Sequence, residues 1–239
     1  MLYSVSLTSR VEASAMKVIV RVGGSVVGSP LNASMINKYV TLLKDLKNQG
    51  HEVTAVVGGG SLAREFIKVA AGLGLEEESR DWAAIHVSRL FAQLFVLGLG
   101  EAGCGTVPVN LDEAEACLAK GKVVVLGGLR PGMTTDTVAA LIGERVKADL
   151  LVKGSNVDGI YTKDPKKYSD AKKLDKLGFE ELGELFDEKQ HKAGINQIID
   201  PEAVRILGKI KLRTIIVDGY DPANLVFAVE GRNVGTVIE

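Results

Sequence analysis

The chain has 239 residues, enough for one large domain or two small ones, and its 46% apolar content can fill a substantial core. Its 29 Lys and Arg residues against 30 Asp and Glu leave a formal net charge of −1, which removes any electrostatic reason for bulk binding to nucleic acid or an anionic membrane. Aromatic residues, at 5%, argue against a platform that stacks single-stranded bases, and no apolar run has the length of a membrane span.

Residues 1–15, MLYSVSLTSRVEASA, precede a far better strand that begins at Met16. Ala13-Ser14-Ala15 has the form of a signal-peptide cleavage site, but the stretch lacks a cationic start, and Arg10 and Glu12 interrupt its apolar residues. It reads as an extra N-terminal arm, an alternative start or a cloning remnant, and a cytoplasmic protein is expected. Strands are then predicted at 17–22, 52–57, 106–109, 122–126, 149–153, 213–218 and 236–239, almost continuously apolar, as befits strands covered on both faces.

Helical patterns lie between them. Ile36, Tyr39, Val40, Leu43 and Leu46 share one face of a helix over 32–48, and Gly50 supplies a left-handed stop. Asp112 is placed to cap a helix ending at Gly121, with Glu115 as its capping partner. Asp200-Pro201 and Asp221-Pro222 each set a cap before a first-turn proline, with Gly208 and Gly231 following. The alternation predicts an α/β fold: a three-layer sandwich with a mainly parallel central sheet and helices on both faces. No repeat and no low-complexity linker interrupts it. The charged stretch 155–176 reads by composition as a solvated excursion with an Asp158-Gly159 hairpin turn, a mobile flap over a ligand being the other reading.

Cys104 and Cys117 fit neither a zinc spacing nor a redox pair and read as small buried hydrophobes in a reducing cytosol. His51, His86 and His191 are scattered, so they suggest surface or packing roles and no histidine metal site.

Three glycine-rich stretches stand at predicted strand ends: RVGGSVVGSP (21–30), VVGGGSLAREF (56–66) and LGGLRPGMTTD (126–136). Ligands of open α/β sheets collect beyond the carboxyl ends of strands. There a helix N-terminus offers free N–H groups, and glycine lets them reach an anion without a Cβ in the way. Three such loops suggest more than one phosphate held at once, which phosphoryl transfer requires. No P-loop signature is present, and the formal G-x-G-x-x-G at Gly98, Gly100 and Gly103 follows a helical pattern, so it is taken as chance and a helix terminator. Arg64, one turn past Gly60, could lean back on a phosphate or be an ordinary surface arginine. Thr134 and Thr135 offer hydroxyls, and Asp136 could cap the helix that follows, orient Lys or Arg groups, or hold a hydrated Mg²⁺.

Together with RDWAAIHVSR, VVLGGLRPGMTTDTVAALI, ADLLVKGSNVDGIYTKDPKK and IDPEAV, these stretches resemble the amino-acid kinase fold family and, within it, the archaeal-type uridylate (UMP) kinases, over essentially 16–239. The resemblance implies a single kinase domain over 16–239, with a UMP-binding lobe at roughly 16–150 and an ATP-binding lobe at 151–239. It implies transfer of the γ-phosphate of ATP to UMP with Mg²⁺, in pyrimidine nucleotide and CTP biosynthesis, by a homohexamer. Gly23, Gly24, Ser25, Gly60 and Arg64 fall where the family holds the ATP phosphates, and Ser155, Asn156, Tyr161 and Asp164 where it holds the nucleoside end. That favours the flap reading of 155–176. Gly59 and Asp81 match positions that contact UMP, and Leu129, Arg130, Pro131, Gly132, Met133, Thr134 and Thr135 match the segment around its phosphate. Asp136 and Arg21 are the catalytic candidates, and Asp136→Asn is expected to depress turnover far more than stability. One slot departs from the pattern: many relatives carry lysine where this chain has Arg21, so either Arg21 or another cation such as Lys153 takes that role. The alternatives are a related phosphotransferase acting on a small carboxylate, carbamate or isopentenyl phosphate, and a non-catalytic nucleotide-binding or storage relative.

Overall fold

The computed structural model describes residues 15–165, 167–187 and 198–239; residues 1–14 of the expected arm, and His191, lie outside these. In chain order the elements are β1 (Lys17–Val22), α1 (Gly24–Gly28), α2 (Ala33–Asn48), β2 (Glu52–Val57), α3 (Gly60–Gly72), α4 (Glu77–Leu99), α5 (Leu111–Leu118), β3 (Val124–Leu126), α6 (Thr135–Val146), β4 (Leu150–Ser155), β5 (Ile160–Tyr161), β6 (Lys173–Leu174), β7 (Lys176–Leu177), α7 (Phe179–Asp187), α8 (Pro201–Ile210), β8 (Thr214–Asp218), α9 (Ala223–Val229) and β9 (Thr236–Ile238).

The main sheet has the order β3-β2-β1-β4-β8-β9-β7. From β3 to β8 every pair is parallel, β9 runs antiparallel to β8, and short β7 pairs with β9. Side chains alternate across a strand, so the sheet splits the interior in two. Val18, Val20 and Val22 of β1 point into a core with α2, α4 and α9. Ile19 points the other way, into a core with α5, α6 and α8. This is the expected three-layer α/β sandwich. It also fixes where Arg21 goes: two residues beyond Ile19, on the α6 side.

Local chemistry sets the helix ends. The Asn32 side chain accepts the Met35 N–H at 3.0 Å to start α2, and Gly50 takes φ +93° just past its end. Asp200 caps α8 by accepting the Ala203 N–H at 2.9 Å, with Pro201 as its first residue. Gly208 does not end that helix; it lies inside, and Lys211 makes the left-handed stop at φ +51°.

Several expectations need correction. Residues 106–109 form no strand: Pro108 has no N–H to give a ladder, and the edge beyond β3 is occupied by a single bridge between Gly103 and Val123. Helix α5 is capped by Asn110 and Glu113, which exchange hydrogen bonds, while Asp112 and Glu115 both pair with Arg145 of α6. Asp158-Gly159 joins β4 to β5 and does not close the hairpin, whose strands β5 and β6 are separated by 162–172. Cys104 and Cys117 are joined in a disulfide with Cα atoms 5.6 Å apart. The backbone path that lays Gly103 beside Val123 brings them together, which spacing alone hid. Helix α4 with its following turn is long and apolar enough, by length and composition, to cross a membrane. Its Val87, Phe91, Phe95 and Leu99 are instead buried against the sheet, so it is a core helix.

Candidate active site

At the carboxyl ends of β1, β2 and β3 the three glycine loops come together, and what excludes side chains there is first of all other backbone. A Cβ on Gly24 would lie 2.2 Å from the Gly60 nitrogen, and one on Gly60 2.3 Å from the Gly24 oxygen. Gly60 also takes φ +62°, which L-residues resist. The first and second loops therefore touch main chain to main chain. The third loop rests on α4: a Cβ on Gly127 would meet the Arg89 nitrogen at 2.7 Å.

Helix α4 also bolts that third loop in place. The Ser88 hydroxyl accepts the Gly128 N–H at 2.8 Å and donates to the Ile85 carbonyl. Arg89 donates to the Gly128 and Leu129 carbonyls at 2.8 and 2.9 Å, and its guanidinium lies 5.8 Å from the Trp82 ring centroid. Asp81 accepts the Gly132 N–H at 2.7 Å.

Under the loops lies a buried charge cluster. Arg21 and Lys153 are register partners on adjacent parallel strands, so their side chains emerge side by side. Asp136, in the first turn of α6, receives both: Arg21 Nε donates to Oδ1 at 2.7 Å and Lys153 Nζ donates to Oδ2. Arg21 Nη2 donates to the Thr135 hydroxyl at 2.7 Å and Nη1 to the Val22 carbonyl at 2.6 Å. Asp136 does not cap α6. Thr134 does, accepting the Asp136 and Thr137 N–H groups, because the two cations pull the carboxylate toward the sheet. Thr134 and Thr137 in turn donate to Asp200, tying the N-termini of α6 and α8 together.

Burial opposes ionisation of Asp136, but the Arg21 and Lys153 charges and their hydrogen bonds outweigh it and hold its carboxyl below the usual carboxylate value. For Lys153, burial dominates: it pushes the ammonium down to about 8, with Asp136 opposing and Arg21 assisting the shift. Arg21 and Lys153 thus set two cations against the Asp136 carboxylate, with Asp200 at the start of α8 the further charge that acts on Lys153.

The profile of the Amino acid kinase family matches residues 16–218. The chain belongs to that family. It is 42% identical over 226 residues to the uridylate kinase of Methanocaldococcus jannaschii, covering 94% of this chain and 100% of the other. It is 39% identical over 223 residues to that of Methanobrevibacter smithii, covering 93% and 99%. The crystal structure of uridylate kinase from Archaeoglobus fulgidus matches with a TM-score of 0.86 at 39% identity, over 94% of this chain and 100% of that one. A UMP kinase from Bacillus anthracis, at 20% identity over 94% and 96% of the two chains, shares the fold with a TM-score of 0.79.

In this amino acid kinase, the residues singled out from sequence fall into separate groups. Arg21, Thr135 and Asp136 meet in the charge cluster, and Gly24 meets Gly60. The Gly23 N–H donates to the Gly154 carbonyl at 2.9 Å, which sets it beside Ser155, whose hydroxyl is 3.5 Å from the Asn156 side-chain oxygen. Gly59 sits against α4, 3.4 Å from the Ser88 nitrogen as measured from an added Cβ, and Asp81 holds Gly132. Arg130 turns onto the Met133 sulfur at 3.3 Å, and Pro131 is half-buried. Ser25 is half-buried in α1. Tyr161 donates to Asp158 at 2.9 Å, and Asp164 lies 3.8 Å from Lys167; these belong to the 155–176 excursion, apart from the cluster. Arg64 is exposed on α3 and is not drawn into the cluster. Ser88 and Arg89 went unassigned from sequence, although they stand seven and eight residues after Asp81, on the same face of α4.

Proposed function

We infer that this chain is a nucleoside monophosphate kinase that transfers the γ-phosphate of ATP to UMP, giving ADP and UDP, a step in pyrimidine nucleotide and CTP biosynthesis. The carrying observation is near-full-length identity of about 40% to archaeal uridylate kinases, on a scaffold whose glycine loops and buried cations suit two phosphate chains. A UMP phosphate oxygen attacks the γ-phosphorus; that P–O bond forms as the bond to the β,γ-bridging oxygen breaks, and ADP leaves with the electron pair. The attacking oxygen is already anionic, so no side chain removes a proton. The chain contributes alignment and charge stabilisation.

In this reading Gly23, Gly24, Ser25, Gly60 and Arg64 hold the ATP phosphates, and Ser155, Asn156, Tyr161 and Asp164 hold its nucleoside, with 155–176 closing as a flap. Gly59, Asp81 and 129–135 hold UMP. Residues 16–150 act as the UMP lobe and 151–239 as the ATP lobe of one kinase domain. Among the described residues no group of three or more His, Cys, Asp or Glu is placed to hold a metal, and both Asp136 oxygens are engaged by cations. Mg²⁺, when bound, would be carried on the ATP phosphates, where it would offset phosphate charge.

The enzyme is proposed to work in the cytoplasm as a homohexamer. Supporting self-association, Phe66, Val69 and Leu73 of α3 and Leu90, Leu94 and Leu97 of α4 are exposed on neighbouring helices. A substrate panel tests the reaction: with ATP, ADP should form fastest with UMP. Faster ADP formation with isopentenyl phosphate, carbamate or a glutamate derivative would replace this reading with another kinase of the same family.

A further inference from the structure

The slot that departs from the lysine pattern is filled by an arginine anchored at each of its three nitrogens, with three of its five N–H donors engaged. All three nitrogens of the Arg21 guanidinium donate to protein: to Asp136, to Thr135 and to the Val22 carbonyl. The group is also pressed under the second glycine loop. A Cβ on Gly58 would lie 3.2 and 3.4 Å from its two terminal nitrogens. A planar group pinned on three sides cannot follow a phosphoryl group in flight without breaking its own contacts.

Lys153 differs on each count. Its side chain is only 5% exposed. Among the described residues Asp136 is the one hydrogen-bond partner of its ammonium, so two of three N–H donors have no protein acceptor. A buried ammonium with one partner bears a desolvation cost that a further anion would relieve. It stands in register with Arg21 at the end of β4, one residue before Gly154, whose carbonyl holds the first glycine loop through Gly23.

We propose that the Lys153 ammonium is the side-chain cation that touches the transferring phosphoryl group, and that Arg21 is a positioning residue that holds Lys153 through their shared partner Asp136. The inference rests on the ATP-to-UMP reading above. In the ground state Lys153 pairs with one oxygen of Asp136; as charge gathers on the equatorial oxygens of the phosphoryl group, its two remaining N–H donors meet them. No proton moves: the ammonium stays protonated throughout, and the bonds made and broken are those of the phosphoryl transfer itself.

Turnover of UMP, its KM and thermal unfolding are measured across about pH 6 to 10 for the full chain and for Lys153→Met, Lys153→Arg and Arg21→Gln. The charged groups around the ammonium are Arg21 on β1, Asp136 on α6 and Asp200 at the start of α8. Wild-type kcat/KM, which reports the free enzyme, should fall as pH rises through about 8, where the ammonium is lost. Lys153→Met should lower kcat about 10²- to 10³-fold, the scale of removing one transition-state donor, with KM for UMP little changed. Lys153→Arg should recover much of that activity and lose the alkaline fall, because a guanidinium stays charged. Arg21→Gln should cost less in kcat than Lys153→Met and should move the alkaline fall upward, since the Arg21 charge no longer disfavours the neighbouring ammonium.

Turnover by Lys153→Met within about threefold of wild type would overturn the proposal, far short of the loss expected for a transition-state donor. So would an alkaline fall that persists in Lys153→Arg, or an Arg21→Gln profile with the larger loss and an unmoved limb. Should Lys153→Met unfold, the Lys153→Arg profile decides. A wild-type chain that makes no ADP with UMP removes the substrate reading, and this inference with it. An active wild type beside an undiminished Lys153→Met removes this inference alone.

Discussion

The loops at the ends of β1 and β2 and the excursion over 155–176 serve the two ends of one nucleotide in this account, yet they are held by opposite means. The loops are locked by main chain on main chain, with Gly24 and Gly60 so close that neither admits a Cβ, over an ion cluster shielded from water. The excursion is a hairpin of two-residue strands pinned by side chains in solvent: Lys163 to Asp170 at 2.5 Å, Lys173 to Asp158 at 3.4 Å and Lys167 to Asp164 at 3.8 Å. Exposed pairs of that kind each contribute about 0–1 kcal/mol, whereas backbone contacts in a packed interior have nowhere to move. On the proposed assignment, the more firmly packed region would align the phosphates and the excursion held by exposed ion pairs would admit the nucleoside.

Mutations on the two sides of this contrast should differ in kind. Asp136→Asn should have the largest effect. It leaves Arg21 and Lys153 as buried, uncompensated neighbours, and breaking such a pair costs about 3–5 kcal/mol. The structure thus adds a sizeable stability cost to the larger loss of turnover expected of this change. Denaturant unfolding checks it; a loss below about 1 kcal/mol, the worth of an exposed pair, would mean the cluster is solvated. The linkage has a definite sign. Because the Asp136 carboxyl is held below its ordinary value, its contribution is present above the unfolded carboxyl pKa of about 4 and is lost as pH falls through the folded value. The mutant should therefore lose the part of the acid-side decline that Asp136 supplies.

Gly24→Ala comes next. Its Cβ meets backbone, not a yielding side chain, so overpacking of about 1–3 kcal/mol is expected, together with a loss of ATP affinity. Wild-type melting and ATP binding in this mutant would show that the two loops part easily. The smallest effect belongs to the flap: Lys173→Ala should change unfolding free energy by no more than about 1 kcal/mol. If the excursion closes over ATP, the KM for ATP should respond more than the melting temperature does. A melting drop like that of Gly24→Ala would erase the distinction between the two regions.

Much of this was legible in the sequence because it rests on local rules. The strands of the parallel core announce themselves as unbroken β-branched runs, and Asp200 and Gly50 mark helix ends by chemistry that acts over three or four residues. Three of the failures share a cause, a partner distant in the chain. Asp136 reads as a helix cap until Arg21 and Lys153, 115 and 17 residues away, claim its oxygens. Asp112 and Glu115 read as capping residues until Arg145 arrives from α6. Cys104 and Cys117 look unrelated until the Gly103–Val123 bridge aligns them. The glycines were legible as places without room, but not what fills the room, which is the neighbouring loop as well as any ligand.

The most direct measurement is a crystal structure with UMP and a non-hydrolysable ATP analogue bound together. It should place the terminal phosphate of the analogue above the Gly24–Gly60 contact, in line with the UMP phosphate and within hydrogen-bond distance of Lys153 Nζ. Nucleotides bound elsewhere, or a terminal phosphate gripped by Arg21 with Lys153 still closed on Asp136, would contradict it.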